Sequence, residues 1–545
     1  MFIKTTRSGN HHYAQMVESY RKDGKTKHRV LLNLGRLDQI KNNPSFQSLA
    51  TRLAELSALK ETNNIEDISD AQIFNYGYLA YRRLWEQFDL PKMLTEAMGK
   101  AQFDFDKASF LMAIGHLLAP NSKRGTHAQQ ERYLNLPEVK LQHLYRSLDI
   151  LERSKERLEA NLFQLNRSLF NMKVDIVFFD VTTFHFESVR SDSLRDFGFS
   201  KNGKSNEVQV VLGMLIDQTG RPVGYELFPG HTFDGHTLEA ALDHLERRLG
   251  IQRVIIVADR GINSKLNLKR IRDKGYDYIV ASRLKSMPRN QLEQALSDTG
   301  FYDMTNSDGS LFRYKSLDYC NRFKADKVYE LPEQLIITYC AKRAKKDRAD
   351  RQRLIRKARL LLGNKGMIKS SIKRGGKRYV KETGNVDWVL DEEAILRDES
   401  FDGYYALQTS AESLSPREVL TIYSDLWKIE ESFRVMKSTL EVRPVFHWTE
   451  PRIKGHFVLC FLAFLLERTL EFKLTEAGFD SSPEQIREAL NSLNFVEVKV
   501  KKNRFLIKTR ASALAYDIWR LLRLKPPKNV TPAEEMEVSI KKEQM

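Results

Sequence analysis

The sequence predicts a mixed α/β protein: a mixed sheet flanked by helices, interrupted by a β-rich insertion, with a helical N-terminal region preceded by a small β-hairpin segment. Three observations predict it. Apolar residues recur three and four apart from Pro44 to about Phe170, β-branched and aromatic runs replace that period from Val174, and strand-like and helix-like stretches then alternate as far as Ser282.

Residues 1–37 alternate polar and apolar side chains in HHYAQMVESY and KHRVLLNLG around Asp23-Gly24, which is hairpin patterning. LATRLAELSALK, YGYLAYRRLWEQF, ASFLMAIGHLLA and LDILERSKERLEANLFQLNRSLF read as helices punctuated at Pro91 and Pro120. VDIVFFDVTTFHF, VQVVLGMLID and RPVGYELF read as three successive strands, the last two joined by a turn at Gln218-Thr219-Gly220. LEAALDHLERRLG is a helix closed by Gly250, and RVIIVADRG is a strand buried on both faces. A further helix closes at Gly275 before the strand DYIVAS. Between 283 and 400 YELPEQLIITYC is the best strand, and one highly basic stretch is helix-like. YYALQTS then leads into one long amphipathic helix from about Pro416 to Glu441, followed by an apolar helix over 457–472. The tail reads as a helix, the hairpin VEVKVKKNRFLIKTR and the helix ALAYDIWRLLRL, and no internal repeat is present.

Composition excludes several classes. With 41% hydrophobic and 29% charged residues in a chain of 545, the protein is globular, with length for three or four domains. The longest apolar run, Phe457 to Leu466, is about half of what a bilayer crossing needs, so no membrane partner is expected. The first residues lack the apolar stretch of a secretory signal, and Cys320, Cys340 and Cys460 form no C-x-x-C pair; the expected setting is reducing and cytoplasmic. The formal charge of +17 favours polyanionic partners such as nucleic acid.

The chemistry is concentrated in three places. Asp180 lies inside the apolar strand IVFFDVTTF and Asp259 at the end of VIIVAD, and a carboxylate among apolar side chains is costly unless it is paired or binds a metal. On a helix of 100° per residue, Tyr423, Trp427, Glu430, Arg434 and Lys437 share one stripe, while Leu426, Ile429, Phe433, Met436 and Leu440 share the adjacent, core-facing one. Two strand-borne Asp and a helix-borne Glu make an oxygen-rich set suited to Mg2+ or Mn2+. Two such ions about 3.5–4 Å apart serve phosphoryl transfer.

FFDVTTF, VADRG and Y-x6-E-x6-K, together with GFSKNGKSNEVQVVLGMLID, YELFPGHTFDGHTLEAAL, FDGYYALQT and LWKIEESFRVMKSTLEVRPVFHW, resemble the DDE-class transposases of bacterial insertion sequences. The match is to the large-β-insertion group with a Tyr-Arg-Glu-Lys pattern, and within it to the sixteen-thirty-four type. The resemblance implies an RNase H-like core with Asp180, Asp259 and Glu430 as catalytic metal ligands for Mg2+ or Mn2+, two ions per site. It implies cut-and-paste transposition on double-stranded DNA, at terminal inverted repeats and at a target, by a homodimer in the synaptic complex of a bacterial, nucleoid-associated protein. In the pattern Tyr-x2-Arg-x3-Glu-x6-Lys, Tyr423, Glu430 and Lys437 match and Leu426 departs; Arg434 is the cation available instead. Expected DNA contacts are Tyr423, Arg434, Lys437, Arg260, Lys201, Lys204, Lys373, Arg374, Lys377 and Arg378.

The expected organisation is a hairpin segment (1–40), a helical DNA-binding region (41–170), two parts of the core (171–285 and 401–475) around a basic β-rich insertion (286–400), and a C-terminal candidate dimerisation region (476–545). Residues 342–381 hold 17 Lys+Arg and only Asp347 and Asp350, leaving the other 505 residues at a net +2, so the charge belongs to a phosphate-gripping arm. Three other signals are weaker. His231 and His236 are five apart across Gly235 and share no helix face, and Trp388 reads as packing. FFDVTTF also resembles a haloacid-dehalogenase-type phosphatase motif, but Thr182 stands where a second Asp is needed. The rivals to a transposase are an RNase H-like nuclease without strand joining and a silent DNA-binding descendant.

Overall fold

A computed structural model describes residues 2–9, 11–22, 25–42, 48, 72–169, 174–198, 206–305, 309, 311–324, 327–363, 375–383, 387–500 and 503–536. The N-terminal strands β1 (Phe2–Ser8), β2 (His11–Lys22) and β3 (Lys25–Arg36) form a three-stranded antiparallel sheet, followed by α1 (Leu37–Asn42). The Asp23-Gly24 turn and the predicted helix LATRLAELSALK lie outside the described residues.

The helical region opens on β4 (Ile73–Asn75), a strand too short to show a sequence period. It continues through α2 (Tyr78–Gln87), α3 (Leu90–Ala97), α4 (Phe105–Leu118), α5 (Lys123–Ala128) and the long α6 (Leu141–Leu169). Pro91 sits in the first turn of α3, where its missing N–H costs nothing, and the Asp104 and Ser122 side chains cap α4 and α5 by accepting the N–H groups of Lys107 and Gly125.

The central element is a nine-stranded sheet. Its first strands are β5 (Ile176–His185), β6 (Gln209–Asp217) and β7 (Pro222–Pro229), successive antiparallel neighbours as the sequence predicts. Helix α7 (Leu238–Asp243), prolonged by a π turn, leads to β8 (Ile255–Ala258), and α8 (Lys265–Asp273) leads to β9 (Asp277–Ala281). Gly250 and Gly275 close these crossovers at φ +66° and +75°, a region that L side chains rarely adopt. β5 pairs in parallel with β8, and β8 with β9.

After α9 (Arg289–Leu296) come β10 (Tyr302–Thr305), β11 (Leu311–Lys324) and β12 (Val328–Tyr339), then the basic helix α10 (Ala341–Leu362), β13 (Val380–Thr383), β14 (Asp387–Leu390), α11 (Glu392–Glu399) and β15 (Tyr404–Thr409). The sheet order is β10-β11-β12-β15-β9-β8-β5-β6-β7. The strands β10 to β12 therefore extend the central sheet. The basic stretch is helical, and with β13, β14 and α11 it encloses a small separate core of Ala358, Tyr379, Val380 and Ile395.

The long helix predicted over Pro416–Glu441 is not one helix. It is α12 (Pro416–Ser424), a break at Asp425 and Leu426, α13 (Trp427–Arg434) and a π turn over Val435–Thr439. The apolar helix is longer than its apolar run, as α14 (Glu450–Glu476), and is buried on all sides through its middle, as a helix apolar all round must be. A Cβ at Gly455 would lie 1.9 Å from the carbonyl oxygen of Leu148, so glycine is what lets α14 and α6 cross this closely. The last named elements among the described residues are α15 (Pro483–Asn491), β16 (Asn494–Val500), β17 (Asn503–Lys508), α16 (Ala513–Leu521) and β18 (Val530–Pro532). A four-stranded sheet ordered β18-β17-β16-β4 and the Asn75 amide donating to Leu490 O (2.9 Å) bind the C-terminal region to the helical one.

Side chains alternate across β5. Val177, Phe179 and Val181 join Leu242, Leu268 and Ile271 of the crossover helices, whereas Phe178 and Phe184 join Ile429 and Phe433 of α13 and the apolar middle of α14. The face that carries α13 is the one that matters for the site.

Candidate active site

Asp180 is half-buried on β5 and shares by alternation the face of Phe178, Thr182 and Phe184. The parallel ladder to β8 ends at Phe179 opposite Ala258, so Asp180 and Asp259 are the next residues on adjacent strands. Val257 faces the same core as Phe178, which sets Asp259 on the side of Asp180. Asp259 is exposed at the C-terminal end of its strand, and its carboxylate accepts the backbone N–H of Arg260.

The third arm comes from the segmented helix. Ser415 and Glu418 form a capping box that starts α12, with Pro416 in the first turn. Tyr423, near its end, shares a hydrogen bond between hydroxyls with Tyr405 of β15 at 2.8 Å. Burial pushes both hydroxyls up from their ordinary range, and the charges of Asp259 and Arg260 act on both, which puts this tyrosine pair beside the end of β8. α13 packs against β5. Glu430 is exposed on it, Ile429 and Phe433 are buried, and Leu426 is partly buried against the core, as its place on the apolar stripe predicts. Lys437, in the π turn, donates from Nζ to the Thr182 hydroxyl and lies 5.5 Å from the Phe184 ring centroid. Thr182 is two residues from Asp180 on one face, about 6.6 Å along the strand. Arg434 points outward to Glu431 (3.5 Å), and Trp427 is 53% exposed.

Asp180 and Asp259 are neighbours on one sheet face, and Glu430 stands on the helix that packs against β5. Among the described residues, the one His, Cys, Asp or Glu trio with donor atoms within 4.8 Å is His116, His456 and Cys460, elsewhere in the molecule. As a donor set the three carboxylates fit a hard divalent cation: all are oxygen ligands, from two strand positions and a packed helix.

Beside Asp259 opens a cleft of about 490 Å³ between Arg260, the residues after β9, Tyr404 and Tyr405 of β15, and α10. Its cations are Arg260, Arg283, Lys285, Arg343, Arg351 and Arg378. Several are engaged internally: Arg351 contacts Asp402, Arg378 contacts Asp398, Lys285 reaches Asp398 at 2.6 Å, and Arg343 lies over the Tyr405 ring at 4.6 Å. Arg351 and Arg378 of the basic segment are thus neutralised within the cleft wall. Lys201, Lys204, Lys373 and Arg374 lie outside the described residues. Lys377 sits 5.9 Å from the Trp388 ring, which packs against the small core of α10 and α11.

Comparison with protein-family models matches residues 172–466 to the transposase DDE domain and residues 3–62 to the IS1634 family transposase N-terminal domain. The chain belongs to the DDE transposases of the IS1634 family. This transposase is therefore a DNA transposase and a phosphoryl-transfer enzyme of a class that uses divalent metal ions. Among solved structures, one similar to the transposase is a piggyBac transposase synaptic complex with hairpin DNA, at 9% identity and TM-score 0.36, covering 77% of this chain and 80% of that one. Comparison with curated proteins gives no match.

Sequence reasoning about the transposase missed Tyr405 and Thr182 as partners of Tyr423 and Lys437. Both stand in quoted motifs, YYALQT and FFDVTTF, but contacts between residues so far apart in the chain carry no periodic signal. His231 is held by Asp196 (2.8 Å). All three cysteines are free, and among the described residues no helix is long and apolar enough to cross a membrane.

Proposed function

We propose that Asp180, Asp259 and Glu430 are the catalytic carboxylates of an RNase H-like core and hold two Mg2+ or Mn2+ ions during cut-and-paste transposition. The observation that carries this reading is the register of β5 and β8, which makes Asp180 and Asp259 neighbours on the sheet face covered by α13. The strand order β7-β6-β5-β8-β9, with β6 antiparallel and β8 and β9 parallel to β5, supports the RNase H-like assignment. When bound, the ions supply charge stabilisation to the attacking and leaving oxygens of a phosphodiester.

The chain's own residues position the DNA. Lys437, fixed on Thr182, presents a cation beside the carboxylates, where it holds a phosphate oxygen. Tyr423, paired to Tyr405, fixes the helix entrance next to Asp259, Arg260 and Arg378 line the cleft there, and Arg434 and Lys377 make weaker DNA contacts outside it. Attack of water on the phosphodiester at the element's end breaks the P–O3′ bond and frees a 3′-hydroxyl. That hydroxyl then attacks a target phosphodiester, with the target's own 3′-oxygen leaving. Residues 171–285 and 401–475 form the core, 41–170 and the basic segment recognise the terminal inverted repeats, and 476–545 supports the homodimer that brings two ends together in the cytoplasm of a bacterium.

The test is cleavage and joining of labelled inverted-repeat ends with Mg2+ or Mn2+. Loss of both steps in Asp180→Ala, Asp259→Ala and Glu430→Ala is expected. Unchanged cleavage in these variants overturns the assignment, and cleavage without joining by the unaltered protein makes it a nuclease.

A further inference from the structure

A second cluster of ligating side chains lies away from the carboxylates, where α4 meets α14. His116 stands in the last turn of α4, and His456 and Cys460 stand one turn apart on α14, on one face of that helix. All three are buried, Cys460 completely. We infer that His116, His456 and Cys460 bind a zinc-class divalent cation, in a site distinct from the one that performs transposition.

The distances match that ion. Cys460 Sγ lies 4.0 Å from His116 Nε2, and 3.7 and 3.6 Å from Nδ1 and Nε2 of His456. Tetrahedral zinc, with Zn–S about 2.3 Å and Zn–N about 2.0 Å, separates a sulfur and a nitrogen ligand by about 3.6 Å. The sulfur–nitrogen separations therefore lie within about 0.4 Å of that value, and the three ligand atoms lie within 4.8 Å of one another.

The tautomers match as well. His116 Nδ1 is 2.8 Å from the carbonyl of Leu440, which can only accept, so Nδ1 carries the proton and Nε2 carries the lone pair on the side of Cys460. His456 Nε2 donates in the same way to Val442 O at 3.2 Å, leaving Nδ1 as its free donor atom. Backbone carbonyls that hold the far nitrogen of each imidazole are the usual support of metal-bound histidine. His447 covers the ring of His456 at 5.1 Å and helps close the site.

One group already treats the site as a cation position. Lys123 is 4% exposed, and its Nζ donates to His116 Nε2 at 2.8 Å. Among the described residues its hydrogen bonds and ion pairs include no carboxylate, an expensive arrangement for a buried ammonium. Binding Zn2+ with loss of one proton from the Cys460 thiol and one from Lys123, whose neutral amine completes the tetrahedron, leaves the site at +1, the charge it carries with the ammonium alone. Thiolate and imidazole select a zinc-class ion over the magnesium class. Because Leu440 and Val442 follow Lys437 within five residues, the ion would staple α4 and α14 to the segment that leaves the active-site helix.

The experiment uses the full-length chain. Metal is counted by mass spectrometry after purification without added zinc and dialysis against Mg2+, and metal-stripped protein is titrated with Co2+. The expected result is about one tightly held zinc per chain, retained when Asp180, Asp259 and Glu430 are all replaced by Ala, and a Co2+ spectrum with a thiolate charge-transfer band that Cys460→Ser removes. A count well below one per chain together with a Co2+ spectrum lacking that band in the unaltered protein overturns the inference. The unaltered chain decides it even if Cys460→Ser does not fold.

Discussion

The two strand-borne carboxylates and the helix-borne arm of the proposed site are built by different rules. Asp180 and Asp259 hang on a parallel ladder whose side-chain period of two leaves no freedom: once β5 pairs with β8, the two residues are neighbours on one face. Glu430 and Lys437 hang on a helix that breaks at Asp425 and loosens into a π turn at Val435, so their directions depend on what α13 packs against. Strand geometry transmits position rigidly, whereas an interrupted helix transmits it through its contacts.

The largest expected effect tests the rigid pair. Asp180→Asn and Asp259→Asn each lower end cleavage at least a hundredfold while leaving the thermal midpoint nearly unchanged, read in a single-turnover assay with a parallel melt. A variant that melts early would mean that the carboxylate supports the fold instead.

The helix arm is tested by separating its two cations. Lys437→Ala, which removes the cation anchored on Thr182, lowers cleavage about 10–100-fold, the value of one charge-assisted hydrogen bond, while Arg434→Ala, which removes an outward-facing one, changes it less than threefold. Equal losses would show that the straight-helix stripe describes the arm better than the observed interruption. Replacing Lys345, Lys346, Arg348 and Arg356 of α10 by Gln weakens DNA binding and flattens its salt dependence, since each lost phosphate contact removes about one unit of slope, and fluorescence anisotropy from low to moderate salt reads it. A slope equal to that of the unaltered chain removes α10 from the DNA path.

The smallest effect concerns the platform under α13. Glu467 of α14 is fully buried, accepts the Tyr81 hydroxyl at 2.5 Å, and is pushed by burial and then by Glu471 up to about 8. The folded chain keeps a proton that the unfolded chain loses near 4.5, so this contribution is complete below that pH and is lost as pH rises through about 8. The melting temperature should fall across that window, and Glu467→Gln should flatten the fall by up to about one proton's worth, about 1.4 kcal/mol per pH unit. An unchanged pH profile in the variant would place the titrating group elsewhere.

How much was legible in the sequence follows from the same contrast. The strands around Asp180 and Asp259 announce themselves by β-branched runs, Gly250 and Gly275 mark where the crossovers end, and the charge of residues 342–381 is a matter of counting. β4 was invisible because three residues carry no period, and its partner β16 lies some 420 positions away. The break at Leu426 was invisible because each half of the helix keeps a correct apolar stripe. Residues 286–400 read as a basic β-rich insertion, and their strands β10 to β12 join the central sheet where β12 pairs with β15, a pairing between segments that local patterning does not specify.

By itself the sequence determined the alternation that puts Asp180 on one face of a buried strand, the apolar character of α14, the acidic, aromatic and basic residues of the proposed site, and the amount of charge. Tertiary structure alone decided which strands became neighbours, that Lys437 rests on Thr182 and Tyr423 on Tyr405, that Arg351 and Arg378 of the basic segment pair with Asp402 and Asp398, and that His116 meets Cys460 across two helices. The reason is physical: periodicity and charge are local properties of a chain, while pairing, ion partners and ligand geometry come from contacts between segments far apart in sequence, which exist only once the core has closed.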